Sequence, residues 1–233
     1  MLGHTHALSG AATGAAAGTV LHAGSSGGAA LALLCAGFAT VPDLDHCGTT
    51  ASRSFGFLTE AFAWLVSKAS GGHRHGTHSI LGVAAFTALT WLACVFRRDL
   101  PGRIGLGLLL AIAMASGLRA LRLGGHFADL AAIAGAVAVC ATGWHLTLIP
   151  VAAATGTATH ILGDMLTTEG CPLAWPASTR HARLLPRPLA FTTGTWREHY
   201  IVTPVLIAAL AWLGYRAAAG IHAPALYARL VSR

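Results

Sequence analysis

The chain has 233 residues, 55% of them hydrophobic and only 10% charged, with a mean hydropathy of +0.63. Soluble domains carry about 25% charge, so this composition excludes an ordinary water-soluble globular protein and points to an all-α, polytopic membrane protein. The formal net charge of +7 comes from Lys and Arg scattered over short loops and helix ends. Without a basic stripe no direct nucleic-acid binding is expected, and anchoring beside anionic lipid headgroups accounts for these residues.

In chain order, residues 7–23 and 29–41 form a Gly/Ala-rich apolar pair joined by GSSGG. Both are shorter than the ~20 residues of a usual span. Small residues let helix backbones approach, so a closely packed interior or tilted hairpin is expected. No cleavable leader is expected before this pair, by the pattern of charge, apolar run and cleavage site. A long polar stretch follows over 43–78, broken by FGFLTEAFAWLVSKA, which reads as an interfacial helix. Residues 79–96, 104–118, 127–143, 146–162 and 201–218 are each apolar and near spanning length. Pro150 and Pro204 are tolerable inside membrane helices.

Six to seven transmembrane or re-entrant helices follow, in one domain over 1–233. With seven crossings, His6 and the loops at 43–78, 119–126 and 164–200 share side one. The loops at 24–28, 97–103 and 144–145 and the tail from 219 fall on side two. Side one carries nine Lys or Arg and side two six, which leans side one towards the cytoplasm, although Arg97, Arg98 and Arg103 pull the other way.

The five cysteines form no CxxC pattern. Cys35, Cys94 and Cys140 fall inside apolar segments, where they act as small hydrophobes, and Cys47 and Cys171 lie beside the motifs below. Thirteen histidines stand against eight acidic residues, and imidazole is both a common metal ligand and the side chain that titrates nearest neutral pH. In HILGD, His160 and Asp164 lie one helical turn apart, as either a hydrogen-bonded helix-end pair or two ligands of one ion. In PDLDH, Pro42 ends an apolar segment, and an extended backbone would put Asp43 and Asp45 on one side; each is equally a turn or cap residue. In HRHGTHSI, His78 stands at a helix start that Thr77 or Ser79 caps, and Arg74 is a candidate clamp for an anionic oxygen. His6 borders the first segment and alone is an ordinary interfacial histidine.

Together these separated segments bring imidazoles and carboxylates to one face, where an unpartnered carboxylate near a bilayer is costly and a divalent cation would offset it. The expected metal ligands are His6, Asp43, Asp45, His78, His160 and Asp164. Mixed imidazole and carboxylate donors suit zinc, with manganese or iron next, as one ion or two. Two-metal sites serve phosphoester displacement with water as nucleophile. Arg74 and His73 are then the candidate catalytic groups, for phosphate orientation and proton transfer respectively.

The ordered blocks THALSG, PDLDH, HRHGTHS and HILGDMLTTEGCPLAWP resemble the YdjM-like family of bacterial inner-membrane, metal-dependent hydrolases, one member of which is described as LexA-binding. His6 and Gly10 match its HxxxG, Pro42 to Asp45 its PD-[LI]-D, and His73, Arg74, Thr77, His78 and Ser79 its HRxxTHS. His160, Asp164, Thr167, Gly170 and Pro176 fit its last block, whose leucine position falls on Ala174. The resemblance implies a hydrolase of unspecified substrate. A remoter similarity to zinc-dependent phospholipase C-type enzymes implies Asp43, His78, His160 and Asp164 as the main metal cluster, with His6 at a second ion. The expected substrate is a phospholipid or lipid-linked phosphate. A non-enzymatic protein with a structural metal and a regulatory partner is the alternative. A metal transporter is third, because only Asp129 and His22 lie in or near a span.

Overall fold

The computed structural model describes residues 1–123 and 125–219. Arg229 and Arg233, counted above on side two, lie outside the described residues, as do the last residues of the expected 1–233 domain. Eight α-helices are described: α1 (Gly3–Val20), α2 (Gly24–Phe38), α3 (Phe57–Ser70), α4 (Ile80–Val95), α5 (Leu100–Ala120), α6 (Ala128–Thr142), α7 (Leu148–Met165) and α8 (Thr203–Ala218). Two short 3-10 turns, Val41–Asp45 and Gly76–His78, follow α2 and precede α4. Among the described residues there is no β-strand; the loop after α7 has only isolated bridges, Thr167 with Phe191 and Cys171 with Ala182.

The first hairpin closes tighter than expected. GSSGG is not a link but the first turns of α2, and the connection is Leu21–Ala23. Glycine is a poor helix former, but here it lets two backbones touch. Gly10, Gly14 and Gly18 repeat every fourth residue along one face of α1. A Cβ on Gly10 would lie 2.3 Å from the Cys35 carbonyl oxygen, one on Gly14 2.3 Å from that of Leu31, and one on Gly18 2.6 Å from the Gly28 Cα.

Helix α2 is the hub. Besides α1 it packs on α5, where a Cβ on Gly37 would meet the Ala113 oxygen at 2.4 Å, and on α7, where one on Gly156 would meet the Cys35 oxygen at 2.8 Å. Leu31, Cys35 and Phe38 of α2 are sealed in a core shared with Leu106, Leu110 and Ile149. Helix α4 packs on α5 and α7, α6 on α5, and α8 leans on α1 without burying a single residue.

Among the described residues three helices are long and apolar enough to cross a membrane: Gly24–Asp45, Leu100–Ala120 and Glu198–Ala218. The first is longer than α2 alone because the helix runs on into the 3-10 turn, for 22 residues in all. Ile80–Val95 and Ala128–Thr142 are shorter apolar helices. Large apolar side chains such as Leu89, Trp91, Ile133, Val137, Ile207 and Trp212 point outward, as they do when the surrounding solvent is lipid tail and not water.

The fold therefore gathers one set of helix ends: the starts of α1, α4 and α8 and the ends of α2 and α7. His6, Asp43, His78 and Asp164 all sit at these ends.

Candidate metal centre

Each chemical side chain is placed by a local device. His6 rides on the face of α1 that carries Gly10 one turn later, so the contact that seats α1 on α2 also swings His6 inward. Pro42 opens the Val41–Asp45 turn, where a missing N–H costs nothing. Ser79 caps α4 by accepting from Gly82 N–H at 3.2 Å, which frees Thr77 from that task and leaves His78 at the end of the preceding turn. His160 and Asp164 lie one turn apart on α7, both essentially sealed from solvent.

Four donor atoms meet at the centre. His78 Nε2 lies 3.0 Å from His160 Nε2 and 3.5 Å from Asp43 Oδ1. His160 Nε2 lies 3.7 Å from Asp43 Oδ1 and 3.7 Å from Asp164 Oδ2, and His78 Nε2 is 3.8 Å from the same Asp164 oxygen. Tetrahedral zinc with ligands at about 2.0–2.2 Å has ligand–ligand edges of about 3.3–3.6 Å, close to these spacings, and Asp43, His78 and His160 form a group that could hold an ion. The ring nitrogens facing away are engaged: His160 Nδ1 donates to the Ala39 carbonyl at 2.7 Å, and His78 Nδ1 faces Thr77 Oγ1 at 3.0 Å and Asp45 Oδ2 at 3.3 Å. That arrangement orients both rings so that their Nε2 atoms face each other at 3.0 Å, where a cation would take both lone pairs.

His6 marks a second locus. Its ring stacks on His160 with centroids 3.7 Å apart, and its Nε2 comes within 3.2 Å of Asp164 Oδ1, misaligned for a hydrogen bond. Both nitrogens of this fully buried ring lack a hydrogen-bond partner. A buried orphan of this kind costs about 1–3 kcal/mol, and it fits a ligand better than a packing residue. Asp164 thus turns one oxygen to His78 and His160 and the other to His6, and the amino group of Met1 also contacts that second oxygen. His6, His160 and Asp164 form one potential ion-holding group, Asp43, His78 and His160 another, and Asp45, His73 and His78 a third.

Asp43 and Asp45 do not share a side. The backbone here is a 3-10 turn and not extended; with about three residues per turn, positions two apart diverge. They end up on opposite nitrogens of one imidazole, Asp43 at His78 Nε2 and Asp45 at Nδ1. Asp45 is saturated there, accepting from Thr77 Oγ1, from Arg74 N–H at 3.1 Å and from His73 Nδ1 at 2.8 Å. Neither carboxylate caps its own turn.

Burial alone would keep His78 neutral, but hydrogen bonds and charge from Asp43 and Asp45 outweigh it and raise its pKa to about 9. The metal-free centre therefore stores a proton on a ring that a cation would claim.

Arg74 and His73 form the rim. Arg74 has a left-handed backbone, φ 60°, held by the bond from its N–H to Asp45, and its Nη2 reaches Asp164 Oδ2 at 3.4 Å. A non-glycine residue in that conformation is costly and persists where the surroundings enforce it. His73 is about one-third exposed, with its Nδ1 on Asp45 and His46 stacked on its ring at 4.6 Å.

The model of the YdjM inner membrane protein family matches residues 1–230. The chain belongs to this family. No curated protein and no solved structure matches it. Family membership and the apolar helices place this YdjM protein in the inner membrane, and its buried His/Asp groups are able to hold a metal ion.

Sequence reasoning missed two contributors to the YdjM centre. The Ala39 carbonyl, a backbone group, left no side-chain signal; Thr77 was read only as a cap, although its place in HRxxTHS offered one. Among the described residues Cys47 is exposed, and Cys171 is buried against α7 with its thiol pushed up to about 12 by burial. Neither joins a potential ion-holding group. Glu198 accepts from Leu2 N–H and Gly194 N–H, each at 2.7 Å, tying the start of α8 to the start of α1. Asp129 is engaged bidentately by Arg119 across the α5–α6 connection, with Arg119 Nε at 2.8 Å.

Proposed function

We propose that this YdjM protein is a multi-pass, integral-membrane metal-dependent hydrolase of a phosphoester, acting on a phospholipid or lipid-linked phosphate at the membrane face that bears the centre. The carrying observation is the set of donor separations of 3.0–3.8 Å that join His78 and His160 to each other, to Asp43 and to Asp164. These four would hold the first divalent ion, zinc before manganese or iron, and His6 with Asp164 a second. When bound, such an ion supplies Lewis acidity and lowers the pKa of water.

The chain's own groups supply the rest. Arg74, fixed over Asp164, offers a forked donor to an anionic oxygen. His73 donates its Nδ1 proton to Asp45 and so keeps Nε2 free to take or return a proton at the rim. Asp45 orients both rings. The wall of α2, α4 and α7 excludes water from one side, while half-buried Asp43 and Arg74 open the other. Seven crossings with a cytoplasmic centre remain the preferred topology, on the Lys/Arg excess of that side.

A structural metal in a non-enzymatic protein that binds a regulatory partner is the second reading, favoured by one observation: His78, His160 and Asp164 are sealed from solvent, and structural sites are closed whereas catalytic zinc usually keeps a position open. The test is purification in detergent, metal quantification, and comparison of wild type with Asp164→Ala on phospholipids and generic phosphodiesters. Metal-dependent turnover lost in the variant supports the hydrolase. Bound metal with no turnover on any substrate supports the structural reading.

A further inference from the structure

Helix α3 presents an apolar face that the rest of the chain does not cover. Phe57, Leu58, Phe62, Trp64 and Leu65 are 76%, 63%, 47%, 58% and 55% exposed. The opposite face is buried through Thr59, Ala63 and Ser70, with Ala63 and Val66 against Leu44 and Ala51. The helix packs on the Val41–Asp45 and Gly76–His78 turns, the two segments that carry Asp43, Asp45 and His78. Gly71 ends it with a left-handed backbone, φ 84°, and the chain returns at once to the histidine motif.

Fourteen residues make about 21 Å of helix, short of the ~30 Å of a bilayer core, and Glu60 and Lys68 lie on it, so α3 does not span. Glu60 lies at the edge of this face with Arg53 beside it at 3.7 Å, and Lys68 lies within the face near the helix end, over the Trp64 ring at 5.9 Å, where a long side chain can snorkel to the headgroups. Other exposed aromatics mark the same end of the helices, Phe127 at the start of α6 and Trp196 and Tyr200 at the start of α8. The opposite end carries Trp91, Trp144 and Trp212. Aromatic girdles at two levels are the mark of membrane interfaces, and the α3 face continues the one at the metal-centre end.

We propose that α3 lies in the plane of the lipid interface, its aromatic face among the acyl chains and Lys68 snorkelling to the headgroups, and that from there it braces the two turns that carry Asp43, Asp45 and His78. The placement stands without the metal reading; the bracing rests on it.

The full chain is placed in nanodiscs of phosphatidylcholine with phosphatidylglycerol, and the Trp64 signal is taken as wild type minus Trp64→Phe. The expected result is quenching by shallow brominated lipid and protection from aqueous iodide. Iodide quenching without lipid quenching puts the face in water, and protection from both puts a protein partner or second copy over it; each overturns the placement. Zinc affinity is then compared between wild type and the pair Phe62→Ser with Leu65→Ser, with Phe57→Ser and Leu58→Ser as a second pair should the first not fold. Affinity at least tenfold weaker, with helicity retained, is the expected outcome, and unchanged affinity overturns the bracing. Absence of zinc binding in wild type removes the bracing together with the metal reading, while the Trp64 quenching still decides where α3 lies.

Discussion

Asp45→Asn tests whether this carboxylate orients a ligand or is one. Asp45 is 1% exposed and every approach to it is a donor: the Thr77 hydroxyl, Arg74 N–H at 3.1 Å, His73 Nδ1 at 2.8 Å and His78 Nδ1 at 3.3 Å. An amide in its place sets an NH2 against at least one of those donors, whichever way it is turned. His78 then loses the acceptor that fixes its tautomer and ring angle. Loss of such an outer partner lowers metal affinity about 10–100-fold, or about 1.4–2.7 kcal/mol. Asp43→Asn differs, because Asp43 Oδ1 lies on the Nε2 side of both His78 and His160, at 3.5 and 3.7 Å.

The assay is competition against a chelator of known affinity, with metal content measured separately at saturation. Asp45→Asn should weaken binding without changing the number of ions held; Asp43→Asn should lose an ion. Loss of an equivalent in Asp45→Asn would make it a direct ligand and refute the orienting role, and so would affinity equal to wild type.

Three further outcomes follow from the same geometry. Gly10→Ala brings a methyl to 2.3 Å from the Cys35 oxygen and 2.6 Å from the Ala39 Cβ; overpacking of this kind costs about 1–3 kcal/mol, and denaturation in mild detergent should show it together with weaker metal binding through displaced His6. Because the metal-free protein keeps His78 protonated up to about 9, a cation must expel that proton. Apparent affinity should therefore rise with pH, by up to about tenfold per unit for this one proton, and flatten above that value; affinity constant from pH 6 to 8 would contradict the assignment. Arg74→Lys keeps the charge but loses the fork. On an anionic ester it should lower kcat/KM by roughly ten- to a hundredfold, corresponding to about 1.4–2.7 kcal/mol for one charge-assisted contact, with metal content unchanged.

The helices were legible because apolar runs flanked by Gly, Pro and charge leave few alternatives: 79–96 became Ile80–Val95, and 127–143 became Ala128–Thr142. The α1–α2 link was misplaced because GSSGG has the composition of a turn, and only the partner backbone shows why glycine is tolerated inside that helix. Residue types and spacing brought His78, His160 and Asp164 to one end, but could not say which nitrogen of His78 each aspartate faces. That depends on the 3-10 winding of Val41–Asp45, a tertiary outcome of Pro42 following a buried helix end. The left-handed Arg74 was equally hidden, since its conformation is imposed by Asp45 from another segment.

His6 offers the most discriminating measurement, because its sign reverses with metal. Both ring nitrogens are buried without hydrogen bonds, and Asp164 Oδ1 lies 3.2 Å from Nε2. In metal-free protein, His6→Leu replaces two unsatisfied groups by an apolar side chain of similar volume. Relief on the order of 1–3 kcal/mol is available, reduced by the lost stacking on His160 at 3.7 Å, so chelator-treated variant should unfold at the same or a higher temperature than wild type. In saturating zinc the order inverts: a ligand that binds only the folded state stabilises by an amount that grows with its affinity, and the variant forfeits the ion that His6 would hold. Thermal unfolding of both proteins with and without metal gives four midpoints. A variant less stable than wild type by the same margin in both conditions would mean that His6 is held by packing alone, and the second ion would lose its reason to be there.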